Sequence, residues 1–120
     1  MKLFLCGPIG DVNGVLENSK NQEHVIRFRK AKQRLESVGY KVFCPPIHVK
    51  NPKSRKDALT RDLQGLLRCD NIAVMEGWED SSGCGTETMV GRALSMTVAT
   101  VDEWVEQKLR DAFSWMAIKN

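Results

Sequence analysis

"DNIAVMEGWEDSSGCGTETMVGRAL", Asp70 to Leu94, is the stretch on which the reading of the fold turns. Asn71 to Met75 is a short apolar run, the pattern of a strand buried on both faces. "EGWEDSSG" follows as a loop. A helical stripe then begins, in which Val90, Gly91 and Leu94 share a face with Glu87. A buried strand leading through a Gly/Ser loop into a helix is half of a β-α-β unit, and such units imply a parallel sheet with helices on both faces.

The same alternation extends outward in both directions. Leu3 to Cys6 is an apolar run closed by Gly7-Pro8. From Asn21 to Val38, the residues Val25, Phe28, Ala31, Leu35 and Val38 recur at three and four, which predicts a helix ended by Gly39. Tyr40 to Cys44 reads as a strand stopped by Pro45-Pro46, which cannot donate ladder hydrogen bonds. The basic stretch to Lys56 reads as loop. Leu59, Leu63, Leu66 and Leu67 mark a further helix, Val98 to Val101 a fourth strand, and "DEWVEQKLRDAFSWM" a closing helix with Trp104 and Ala112 on one side. In such sheets ligands bind beyond the carboxyl ends of the strands, near the point where strand order reverses. The loops "GPIGDVNG", "PPIHVKNPKS" and "GWEDSSGCG" are therefore expected to converge.

At 120 residues the chain is expected to form one domain, residues 1–120, with a core large enough to need no staples. With 18 Lys+Arg against 15 Asp+Glu, the net charge of +3 is modest. Its basic residues concentrate in "IRFRKAKQR" and "KNPKSRK", read as a solvated helix face and a solvated loop, so nucleic acid is not an expected partner. The four cysteines contain no CxxC pair, and neither a zinc site nor a disulfide framework is expected, only small buried apolar residues. The first apolar run is too short for a signal peptide, and no window approaches the ~18 apolar residues of a membrane span. A soluble, cytoplasmic protein with no membrane partner and no cofactor is the expectation.

Glu87 is the first candidate for chemistry, because a carboxylate on the apolar face of a helix is aimed at the sheet rather than at water. A reciprocal capping box would need Ser or Thr at position 84, which is Cys, so that version of a capping role fails. Ser81, Ser82, Gly83 and Gly85 either cradle an anion or a sugar hydroxyl with backbone N–H groups or form an ordinary turn. Asp62 borders the leucine stripe of the preceding helix, as a second reactive carboxyl or as a solvated helix residue. Asp70 lies at the opposite end of the sheet and reads as a turn or cap residue. His48 stands in the second loop, either reaching the crevice or lying on the surface. With no Ser-His-Asp spacing, carboxylate chemistry on a small polar ligand remains, and a Glu/Asp pair is the usual equipment for breaking a glycosidic bond.

"LFLCGPIG", "RDLQGLLRCDNIAVMEGWEDSSGCGTE" and the glutamate followed by "GRAL" together resemble the nucleoside 2-deoxyribosyltransferase superfamily, with its nucleotide N-glycosidase branch and DUF4406-type proteins. The resemblance covers about the first 100 residues. It implies a flavodoxin-like (Rossmann-like) three-layer sandwich with a four- to five-stranded parallel sheet. The implied activity is cleavage or transfer at the N-glycosidic bond of a nucleoside or nucleoside 5′-monophosphate. Glu87 matches the nucleophilic glutamate and Asp62 the aspartate that protonates or positions the leaving base. Gly7, Pro8, Ile9 and Gly10 fall in the first ligand loop, and Ser81 and Ser82, with Gly83 and Gly85, in the stretch that contacts sugar or phosphate. Burial beside the leucines is expected to raise the pKa of Asp62. The resemblance also implies a homo-oligomer, for which Trp104 and Trp115 offer anchors. Family members often carry tyrosine in the first strand, where this chain has Phe4. A non-catalytic nucleotide-binding or sensing protein on the same fold is the alternative.

Overall fold

Leu3, Phe4, Leu5 and Cys6 are almost entirely hidden from solvent, and strand β1 (Lys2–Cys6) that contains them is central to the sheet. A computed structural model describes residues 1–8, 19–49 and 51–119, with side chains over 1–8, 23–49 and 51–116. Its elements follow as α1 (Ser19–Ser37), β2 (Lys41–Phe43), α2 (Pro45–His48), α3 (Arg55–Leu66), β3 (Asn71–Val74), a 3₁₀ turn (Trp78–Asp80), α4 (Ser82–Ala93), β4 (Val98–Thr100) and α5 (Val101–Lys119). Among the described residues the sheet has four parallel strands in the order β2-β1-β3-β4. The register sets Cys6 beside Val74 at the carboxyl ends of the two central strands.

Alternation along β1 divides the core into two layers. Leu3 and Leu5 meet Phe28 and Leu35 of α1 and Val101 and Trp104 of α5. Phe4 and Cys6 point the other way, toward Leu66 of α3 and Cys84 of α4. This is a three-layer α/β sandwich of the flavodoxin-like type, and its strand order reverses between β1 and β3. Two glycines hold the second helical layer close to the sheet. A methyl group on Gly65 would overlap the ring of Phe43, and one on Gly91 would overlap the Cδ1 of Ile72.

Several elements differ from the sequence reading for local reasons. Pro45 and Pro46 stop β2, as their missing N–H groups require, yet they also open α2, because proline suits the first turn of a helix. The loop before Glu87 contains the Trp78–Asp80 turn, entered through Gly77 at φ 87°. Helix α4 starts at Ser82, so Gly83 and Gly85 lie inside its first turns rather than ahead of it. Leu67 and Leu94 extend the helical stripes in sequence, but each caps its helix at the carboxyl end and is at least half exposed. Gly39 ends α1 as expected, at φ 104°.

The far layer is tied down by Trp104, whose Nε1–H donates to the Ile72 carbonyl at 2.9 Å, while the Tyr40 hydroxyl donates to the Trp104 carbonyl at 2.9 Å. Trp104 is therefore a core residue and not an interface anchor. Beyond it the end of α5 carries exposed Leu109, Phe113, Trp115 and Met116. Asp70 accepts from the Lys2 N–H at 2.7 Å and fastens the amino-terminal edge of the sheet, away from the strand carboxyl ends. Among the described residues, no helix is long and apolar enough to cross a membrane.

Candidate active site

Glu87 is 94% buried in effect, with a relative exposure of only 6%. Its position follows from how α4 begins. Ser81 caps the helix, its Oγ accepting from the Cys84 N–H at 3.3 Å. Glu87 therefore falls in the second turn, on the stripe with Cys84, Thr88 and Gly91 that faces the sheet. A Cβ built on Gly83 would lie 3.7 Å from Glu87 Oε1 and 3.8 Å from Ser81 Oγ, so the carboxyl sits beside the first turn of its own helix. Oε1 is 3.9 Å from Cys6 Sγ. Among the described residues, buried Oε2 has no hydrogen-bond partner, an arrangement that leaves a carboxylate oxygen free for a ligand.

Asp62 comes to the same place from α3. Burial pushes its carboxyl up to about 6, against the opposing pull of Arg61. Burial also pushes Glu87 up to about 9, and the negative charge of Asp62 adds to the rise. The charge of Asp62 thus acts on Glu87, and at neutral pH the pair holds one proton. Sequence reasoning anticipated the rise at Asp62 but not the larger one at Glu87, the more deeply buried of the two.

The other sequence-predicted residues are placed variously. Gly7 adjoins the cluster at the end of β1, and a Cβ there would come within 2.8 Å of Met75 Sδ and 3.1 Å of Phe28 Cζ. Close packing of the protein itself thus accounts for that glycine. Pro8 reaches the loop after β3, its Cγ 3.5 Å from a Cβ built on Gly77. Ile9 and Gly10, with Asp11 and Asn13, lie outside the described residues. Ser82 is exposed and its Oγ accepts from the Arg55 guanidinium at 2.9 Å, a link between α4 and α3. Gly85 is exposed, with open space where a side chain would be. His48 has a structural role, its ring stacked on Phe43 at 5.2 Å and its Nδ1 accepting from the Cys44 N–H at 2.9 Å.

What the sequence reading missed is the thiol pair. Cys6 and Cys84 stand beside Glu87, all three buried. Their shared hydrogen bond is the chief reason that Cys6 is pushed up and Cys84 drawn down from the ordinary thiol range. All four described cysteines are buried and free. A separate groove of about 580 Å³ opens on the α1 side of the sheet, lined by Arg27, Lys30, Met75, Trp78 and Asp102 among others. Its charge is largely balanced, since Arg27, Lys30 and Arg34 share the lining with Glu76, Glu79 and Asp102, and Arg34 pairs with Asp102 at 2.7 Å. The buried carboxyl pair lies in the other layer and is the stronger candidate for chemistry.

Residues 1–100 match the family described as "Domain of unknown function (DUF4406)", and the chain belongs to that family. Among curated proteins nothing matches. Among solved structures the chain resembles a 2-deoxyribosyltransferase from the psychrotolerant bacterium Bacillus psychrosaccharolyticus, at 21% identity and a TM-score of 0.56, covering 82% of this chain and 69% of that one. At that identity the likeness establishes a shared fold.

Proposed function

We propose that this DUF4406 chain acts as a single-domain enzyme on a nucleoside or nucleoside 5′-monophosphate, cleaving its N-glycosidic bond or transferring the sugar to another base. The observation that carries the reading is the buried Glu87 with an unpartnered oxygen, set against Asp62 at the carboxyl ends of β1 and β3. Its fold resembles that of a protein named as a 2-deoxyribosyltransferase, which adds support. In this reading Glu87 is the nucleophile, Asp62 delivers the proton to the leaving base, and the Gly7-Pro8 segment and the 81–85 segment bound the sugar.

The single proton of the pair suffices for the reaction. It moves from Glu87 to Asp62, the Glu87 carboxylate bonds to C1′, the electrons of the C1′–N bond leave with the base, and Asp62 gives the base its proton. The enzyme then holds a sugar ester and an ionised Asp62. Water or a second base gives a proton to Asp62 as it attacks C1′, the electrons of the ester bond return to Glu87, and the resting pair again holds one proton. The difference between about 9 and about 6 makes the initial proton move cost at most about 4 kcal/mol. A positive charge developing at C1′ about 4 Å from the carboxylate returns about 4 kcal/mol at an effective dielectric of ~20. The cost of ionising the nucleophile is thus offset only as the sugar becomes cationic, which is stabilisation specific to the transition state.

The test is chromatographic. Wild type and Glu87→Ala are incubated with ribo- and deoxyribonucleosides and their 5′-monophosphates, with and without a second free base. Free base or an exchanged nucleoside from wild type alone supports the reading, and the preferred member names the substrate. A folded protein that binds a member of the panel but turns over none favours a sensor. Phe4 motivates that second reading, since it is fully buried and stacked on Phe43 at 5.7 Å, and offers no hydroxyl to a ligand. The exposed apolar residues Leu109, Phe113 and Met116 of α5 fit the proposed homo-oligomer.

A further inference from the structure

We propose that Cys6, Cys84 and Glu87 form a three-ligand site for a thiophilic divalent cation of the zinc class. The two sulfurs and a carboxylate oxygen come from the end of β1 and the first two turns of α4, and all lie within 4.8 Å of one another. Zinc bonds of about 2.0–2.3 Å set tetrahedral ligand atoms about 3.5–3.8 Å apart, so the cluster needs to close by no more than about 1.3 Å. The pair Cys6 Sγ and Glu87 Oε1, at 3.9 Å, is already near that spacing.

The donor set is the kind zinc selects. Two thiolates and one carboxylate give a soft, anionic site that magnesium and calcium do not favour. The buried Oε2 of Glu87, which finds no partner among the described residues, would gain one in a metal ion or be turned outward as Oε1 binds. Binding displaces the protons of both thiols and of the carboxyl to solvent. With three protein ligands the fourth position is left to a water or another small ligand, and a bound cation occupies the carboxylate that the proposed glycosyl chemistry uses as nucleophile, so the metal-bound form and the sugar-ester form exclude each other. Sequence spacing gave no hint of this site, because Cys6 and Cys84 are separated by most of the chain and only the sheet brings them together.

The test reads metal binding itself and is independent of any glycosyl activity. Reduced, metal-free wild type is titrated with cobalt(II), and zinc(II) is then added with a chromophoric chelator as competitor. One equivalent of cobalt, with sulfur-to-cobalt charge-transfer absorption and displacement by zinc, is expected. Cys84→Ser should lose the charge-transfer band and weaken binding by more than about 100-fold, more than loss of an outer-shell contact does. Glu87→Gln should keep a sulfur-to-cobalt band but bind at least about tenfold more weakly, since the two sulfurs remain. Cys69→Ser, whose thiol bonds to the Gly65 carbonyl elsewhere, should bind as wild type does. Circular dichroism checks that each variant is folded. Absence of the band in folded wild type overturns the proposal without recourse to any variant. Equal binding by folded Cys84→Ser overturns it as well.

Discussion

Replacing Glu87 by glutamine should stabilise the protein, and by an amount that grows with pH. The carboxyl is raised from its ordinary 4.5 to about 9, chiefly by burial. Between those values the folded state holds a proton that the unfolded chain has released, so wild-type stability falls as pH rises through the window and is flat on either side of it. The slope is at most about 1.4 kcal/mol per pH unit. From about pH 5 to about pH 8 this gives about 4 kcal/mol if the site stays dry, and about 2 kcal/mol if water reaches the ionised form. Glutamine has nearly the shape of the protonated acid and does not titrate. The two proteins should therefore have similar stability near pH 5 and diverge above it, with glutamine the more stable. Urea denaturation followed by circular dichroism, with chelator and reductant present, measures the difference at each pH. Asp62 titrates in both proteins and its own contribution largely cancels. A difference constant to within about 0.5 kcal/mol across the range, or one that shrinks with pH, would refute the burial argument.

Four further outcomes are expected. If the proposed chemistry is right, base release should follow a bell-shaped pH profile with limbs near 6 and 9, because the pair must hold one proton, and Asp62→Asn should cost about 10²–10⁴ in rate. A flat profile between those limbs and beyond would remove the shared proton from the mechanism. Ser81→Ala deprives the Cys84 N–H of its cap and should cost about 1 kcal/mol in urea denaturation, with Ser81→Gly costing less. Gly65→Ala should be net destabilising by up to about 2 kcal/mol, the overpacking against Phe43 exceeding the roughly 1 kcal/mol gained in helix propensity. That ring is already stacked on Phe4 and His48, at 5.7 and 5.2 Å, which limits how far it can move; a stabilised variant would show that it moves freely.

The order of the elements was legible because burial leaves a periodic mark. The continuous apolar run at Leu3 to Cys6 and the three-four spacing of Phe28, Ala31 and Leu35 each point to one kind of element. Errors fell where that mark is weakest. Leu67 and Leu94 continue a period past the end of a helix, and periodicity does not say where a helix stops. The Pro45-Pro46 pair carries two meanings, strand terminator and helix opener, and both are realised. Trp104 and Trp115 are alike in sequence, yet one is fixed in the core by the Ile72 carbonyl and the other is exposed near the end of α5.

The sequence by itself determined that strands alternate with helices, that the sheet is parallel, and that Glu87 shares the buried face of its helix. Those are properties of neighbours along the chain, set by local sterics and by which positions must avoid water. Only the tertiary structure decided what Glu87 faces. The sheet brings Cys6 to it from β1, α3 brings Asp62, and the resulting exclusion of water raises Glu87 further than Asp62. Desolvation and charge coupling depend on distances between segments that are remote in sequence, and no spacing along the chain encodes them.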